Sequence, residues 1–236
     1  MGAVLAMTRT LLAAAAALLL AGCGGPPPDA PPGASAAETR VLAVAQGIGR
    51  LFGGSAVDDV GRPPVGPEQF APEAIAAAPG AYRIVQINAL GINELGRIIQ
   101  TNGPRTTLAL QSGPTAAFDA GILTATRGFG DDLLTIDAPG LLGLLRAGGG
   151  SLTRTAETLD AQDQVVTTRF ACQVRPAGRE TVDLGLRQAT LARFDENCRS
   201  DRLIFDNIYW LDERGEIAAS RQYVSPTVAY LRANRL

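Results

Sequence analysis

Alternation sets the first constraint. Val166, Thr168, Phe170, Cys172 and Val174 are apolar or compact, while Arg169, Gln173 and Arg175 fall between them. A side-chain period of two sends the two sets to opposite faces of a pleated strand. The segment therefore reads as a half-solvated antiparallel strand with Cys172 on the inner face. Val182, Leu184 and Leu186 continue the pattern after a turn predicted around residues 176–178. Leu191 and Phe194 then drop out of phase, which predicts a bulge or bend. Residues 203–211 and 216–224 flank Asp212-Glu213-Arg214-Gly215, a hairpin connection with glycine placed for positive φ. Residues 83–88, 106–111 and 120–127 supply further short strands, with Asn102-Gly103-Pro104 as a turn. Residues 95–100 fit a helical face as well as a strand. One short helix is expected over residues 139–146, with Asp137 near its cap and glycines 148–150 ending it. Short strands at this spacing, with few long helices, predict a mainly β chain: an antiparallel barrel or barrel-like sandwich.

The N-terminus reads differently. Arg9 sits between Thr8 and Thr10, and residues 11–21 are apolar. That run suits the core of a signal peptide, whereas a membrane-spanning helix needs roughly 20 residues. Translation from Met7 would give a cleaner basic leader than translation from Met1. Leu20-Ala21-Gly22-Cys23 resembles a bacterial lipobox, which predicts a signal peptide over residues 1–22 and lipidation of Cys23. Several acyl chains on one cysteine exceed the two signals that stable membrane attachment needs. Gly24 follows the cysteine where aspartate often marks retention at the inner membrane, so the expected destination is the outer membrane, facing the periplasm. Residues 23–35, with Pro26, Pro27, Pro28, Pro31 and Pro32, form an extended tether. Residues 36–236 are expected to form one β-rich domain. It would begin with an amphipathic helix, because Ser35-Ala36-Ala37-Glu38 is a capping-box pattern and Val41, Ala45, Ile48 and Phe52 follow at helical spacing. Residues 61–80, rich in proline, read as loop with one short helical turn.

The residue types present narrow the chemistry. The chain has no histidine, and all 21 basic residues are arginines. Without histidine there is no Ser-His-Asp triad, Cys-His dyad or imidazole metal site. Without lysine there is no Schiff base and no Walker-type phosphate clamp. Removing the leader takes away Arg9 and shifts the formal net charge from −2 to −3, and no basic stripe remains for nucleic acid. Carboxylates are the remaining acid–base groups, with Asp131/Asp132 and Asp195/Glu196 as the candidate pairs. Neighbours along a strand point to opposite faces, so neither pair converges on one bond. No catalytic residue, metal ligand set or cofactor is expected. Cys172 and Cys198 remain as an even pair in a chain bound for an oxidising space, which favours a disulfide over two buried free thiols. A candidate binding surface comprises Trp210, Arg221 and the Arg127–Asp132 turn, with Arg127, Asp131 and Asp132 as its charged members. Trp210 either stacks on sugar rings or fills the core, and the core reading is the simpler one.

Three segments carry a family resemblance: Thr126-Arg127-Gly128-Phe129-Gly130-Asp131-Asp132-Leu133, Asn207-Ile208-Tyr209-Trp210-Leu211-Asp212 with Gly215, and Gln222-Tyr223-Val224-Ser225-Pro226. Together with the lipobox they resemble the YjbF/GfcB lipoproteins of exopolysaccharide and group-four capsule production. The resemblance implies a barrel-like domain at the periplasmic face of the outer membrane, in contact with the export or assembly proteins of that system and with polysaccharide. No catalytic residues come with it. An accessory binding or scaffold role is therefore expected, and the chain is not expected to be an enzyme. The competing classes are a carbohydrate-active enzyme using carboxylates and a carrier of a lipid-like ligand inside the barrel.

Overall fold

The computed structural model describes residues 65–236. The signal peptide, Cys23, the tether and the expected N-terminal amphipathic helix lie outside the described residues. A short lead-in comes first: a 3₁₀ turn at Pro67–Phe70, helix α1 (Pro72–Ala77) and a second 3₁₀ turn at Pro79–Ala81. Proline opens each of them, where its missing N–H costs nothing.

Twelve strands follow: β1 (Tyr82–Ile87), β2 (Ile92–Asn102), β3 (Arg105–Leu110), β4 (Thr115–Asp119), β5 (Ile122–Arg127), β6 (Leu133–Asp137), β7 (Gly150–Leu159), β8 (Val165–Asp183), β9 (Gln188–Arg199), β10 (Ile204–Leu211), β11 (Ile217–Ser225) and β12 (Ala229–Arg235). Helix α2 (Leu141–Ala147) lies between β6 and β7. All neighbouring strands pair antiparallel in one sheet of order β5-β4-β3-β2-β1-β12-β11-β10-β9-β8-β7-β6, curled into a nearly closed barrel. The sheet edges are β5 and β6, consecutive in sequence, and side chains rather than a backbone ladder join them. Such closure removes the exposed edges on which sheets aggregate.

The mainly β barrel and the helix near residue 140 agree with the sequence. The 95–100 ambiguity resolves as strand, inside β2. The predicted turn at residues 176–178 does not form, because β8 runs through it. Its register against β9 shifts between Pro176 and Arg179, where β8 carries an extra residue. That bulge lies opposite the stretch where Leu191 and Phe194 change phase, so both of those residues are buried. The hairpin after β10 closes with Gly215 at φ +71, and the Asp212 carboxylate accepts the backbone N–H groups of Arg214 and Glu216.

Cys172 and Cys198 are direct cross-strand partners on β8 and β9 and form a disulfide. The bridge lies in the core beside Phe170 and Phe205. A link closing this loop stabilises by about 3–4 kcal/mol in the chain-entropy model. Replacing both cysteines by serine should lower the unfolding free energy by about that amount, read as a lower urea midpoint for the unreduced protein. An unchanged midpoint would contradict it.

Candidate functional site

The lumen divides along its length. At the end where β6 and β10 finish, α2 packs Leu141 and Leu145 against Val174, Phe194, Tyr209 and Leu211. Leucines at i and i+4 share one helix face, and Gly148 at φ +92 terminates the helix.

A buried polar network crosses the middle. Arg154 on β7 donates from Nε to Glu196 Oε1 at 2.8 Å and from Nη2 to Oε2 at 2.9 Å. The same Nη2 donates to the Tyr209 hydroxyl at 2.6 Å. Asn207 Nδ2 donates to Glu196 Oε2 at 2.8 Å. The Tyr209 hydroxyl lies 3.2 Å from Gln222 Oε1, which accepts the backbone N–H of Leu123 on β5. Gln222 Nε2 donates to Gly121 O and Ser220 Oγ. Arg154 is 2% exposed and Glu196 0%. Burial lowers the pKa of Arg154, but Tyr209 and Glu196 beside it raise it overall. Burial pushes the Tyr209 phenol well above its ordinary value. The Arg154 guanidinium therefore stays charged and is closed on the Glu196 carboxylate. Asp195, next along β9, points the other way to Arg193.

The seam between β5 and β6 is closed by the Arg127–Asp132 turn. Arg127 Nη1 donates to Thr126 O and Leu133 O, and Nη2 to Leu134 O. The Asp132 carboxylate accepts the Thr126 hydroxyl and the backbone N–H groups of Gly128 and Phe129. Gly128 sits at φ +88, a left-handed conformation that favours glycine, and a β carbon there would press on Pro114 Cα at 3.3 Å. Asp131 accepts the Thr227 hydroxyl at 2.9 Å, tying this turn to the β11–β12 connection. Three candidate residues thus meet at one turn, where they join the two edge strands.

The remaining two candidates lie elsewhere. Trp210 is 3% exposed and packs with Val182, Leu184, Leu191 and Ala219, its Nε1 donating to Glu180 at 3.0 Å. It cannot offer a ring face to sugar, and the core reading holds instead. Arg221 is half-buried over the Tyr230 ring, 4.1 Å from its centroid, and donates to Asp206 O.

Opposite α2 the barrel opens. β9 covers β8 only from Ala171 onward, so the stretch of β8 before Ala171 pairs with β7 alone. Between this ribbon and the β9–β10 turn lies a cavity of about 990 Å³. Leu133, Ile136, Ala156, Phe170 and Phe205 line its depth, and Arg169, Arg199 and Arg202 line it from exposed positions. The Tyr223 ring stacks on Phe205 at 4.7 Å, and its buried hydroxyl has no partner among the described residues. Burial, with Asp131 nearby, pushes that phenol up to about 12.

Sequence reading did not find the lumen network. Its signal was there: Arg154 falls in phase with Leu152 and Ala156, and Glu196 with Phe194 and Cys198. Opposite charges on the inward phase of two strands mark a buried pair.

Glu196→Gln should cost about 3–5 kcal/mol, because it leaves the Arg154 charge buried and uncompensated. Arg154→Met combined with Glu196→Met should cost less than the two single changes added together. Urea unfolding of the wild type, Glu196→Gln, the two single methionine variants and the double tests this, and strict additivity would contradict the coupling.

Residues 60–236 match the family model described as group 4 capsule polysaccharide lipoprotein gfcB, YjbF. The crystal structure of the hypothetical lipoprotein YmcC from Escherichia coli is similar, with a TM-score of 0.60 and 20% sequence identity over 70% of this chain and 88% of that one. At that identity the likeness speaks for the fold. No curated protein sequence matches the chain. The match over residues 60–236, which covers most of the chain, leads to one conclusion: the chain belongs to the YjbF family of group 4 capsule polysaccharide lipoproteins.

Proposed function

We propose that this protein is anchored through Cys23 in the outer membrane, faces the periplasm, and assists exopolysaccharide or capsule production by binding and scaffolding, without turnover. The observation that carries this reading is the state of the lumen carboxylate. Glu196 is fully enclosed and engaged by Arg154, Asn207 and Tyr209, so its work is to hold strands together. The other candidate carboxylates are also engaged, Asp131 by Thr227, Asp132 in the seam turn and Asp195 by Arg193. Family membership supplies the polymer context, and the Gly24 position beside the lipobox cysteine supports the outer membrane. The partners on this reading are the bilayer, an outer-membrane export or assembly protein, and the polysaccharide itself.

Two experiments test it. Cys23→Ser should move the protein out of the outer-membrane fraction, and unchanged fractionation would refute lipid anchoring there. In a strain lacking the gene, Asp131→Asn combined with Asp195→Asn should restore secreted polymer nearly as well as the wild-type protein. General acid–base groups contribute about 10²–10⁴-fold in rate. A collapse of polymer output, with fold and anchoring intact, would therefore favour a carboxylate enzyme.

A further inference from the structure

We propose that the mouth cavity takes up the acyl chain of a single anionic lipid, with Arg169, Arg199 and Arg202 meeting its phosphate. The inference does not depend on the role in polymer handling. Three observations converge on it.

The first is the division of the cavity into an apolar depth and a cationic entrance. Leu133, Ile136, Ala156, Phe170 and Phe205 are all below 9% exposed yet line a space of about 990 Å³. Small-molecule pockets run to about 300–1,000 Å³, so an extended chain fits where a water-filled void would leave apolar walls wet.

The second is charge. Arg169, Arg199 and Arg202 line the same cavity with Asp201 as the one acidic residue among its walls. Among the described residues, none of these three guanidinium groups has an ion pair or a side-chain hydrogen bond, whereas Arg154, Arg193 and Arg235 are each paired with carboxylates. Guanidinium groups bind phosphate bidentately, which is the recognition a free cluster of this kind can supply.

The third is the lip. Val166, 38% exposed near the start of β8, and Leu203 in the β9–β10 turn line the cavity from its two sides. A lone exposed apolar residue needs no explanation. Two of them on opposite sides of one opening that Arg169 and Arg202 also line present a surface suited to the boundary between lipid head group and chain.

The test uses the full lipidated protein in phosphatidylcholine nanodiscs carrying a trace of single-chain photoreactive lipid, as either a phosphatidylglycerol or a phosphatidylcholine analogue. The anionic probe should label peptides containing Phe170, Phe205 or Val224, and the choline probe should label them about tenfold less, the factor expected for one lost charge-assisted contact. Arg169→Gln with Arg202→Gln should remove that preference while leaving the disulfide and circular dichroism unchanged. Thr168→Trp, which intrudes on the cavity, should weaken labelling of the same peptides by both probes. Equal labelling by the two probes, labelling scattered over the barrel exterior, or undiminished labelling in a folded Thr168→Trp protein would each overturn the proposal. So would displacement of the bound probe by oligogalacturonate, which would assign the cavity to an acidic glycan.

Discussion

The ion pair between Arg154 and Glu196 governs how the barrel is built. Both groups have left water, and each loses that solvation for a single partner of opposite charge and a few hydrogen bonds. An arrangement of this kind is tolerable only when every remaining polar atom is answered. The surrounding residues do that. Tyr209 and Asn207 extend the pair along β10, and Gln222 carries it to the backbone of β5 across the lumen. Strands that are distant in sheet order are thereby tied through the interior. The sheet ladder alone would not fix how flat the barrel lies, and the network supplies that constraint.

Closure at the seam follows the same logic with different groups. β5 and β6 are joined by the donors of Arg127 and the acceptors of Asp132, so the edge strands meet through side chains reaching backbone carbonyls and amides. A short glycine-containing turn is what places these two charges within reach. The Arg127–Asp132 turn is thus a closure device, and Arg127 and Asp132 are committed to the fold.

Between α2 at one end and the open mouth at the other, the interior changes character along its length. Beside α2 a cavity of about 280 Å³ remains, lined by Leu142, Arg146 and Ile217, while the mouth keeps the larger, with unpaired arginines at its entrance. The disulfide lies where β9 begins to cover β8, so it pins the inner wall of the mouth where the ladder starts. Rigidity next to an opening is what a binding site on a barrel requires.

The sequence by itself determined the β class, the pairing of the cysteines, the β10–β11 hairpin and the helix near residue 140. Each of those depends on local signals: a period of two, two cysteines left over once Cys23 is assigned to lipidation, glycine at a positive φ, leucines four apart. It also marked the Arg127–Asp132 turn, though as a surface, because the spacing of charges says nothing about what they reach. The location of Trp210 followed the simpler expectation, since strand alternation cannot tell an outward face covered by a neighbouring hairpin from one that meets solvent. Tertiary structure alone decided that β8 runs on through a bulge at residues 176–179, because the extra residue is absorbed only by the register against β9. It alone brought Arg154 to Glu196 and opened the mouth between β8 and the β9–β10 turn. Those contacts join residues tens of positions apart, and their geometry is set by barrel closure, which no stretch of sequence encodes locally.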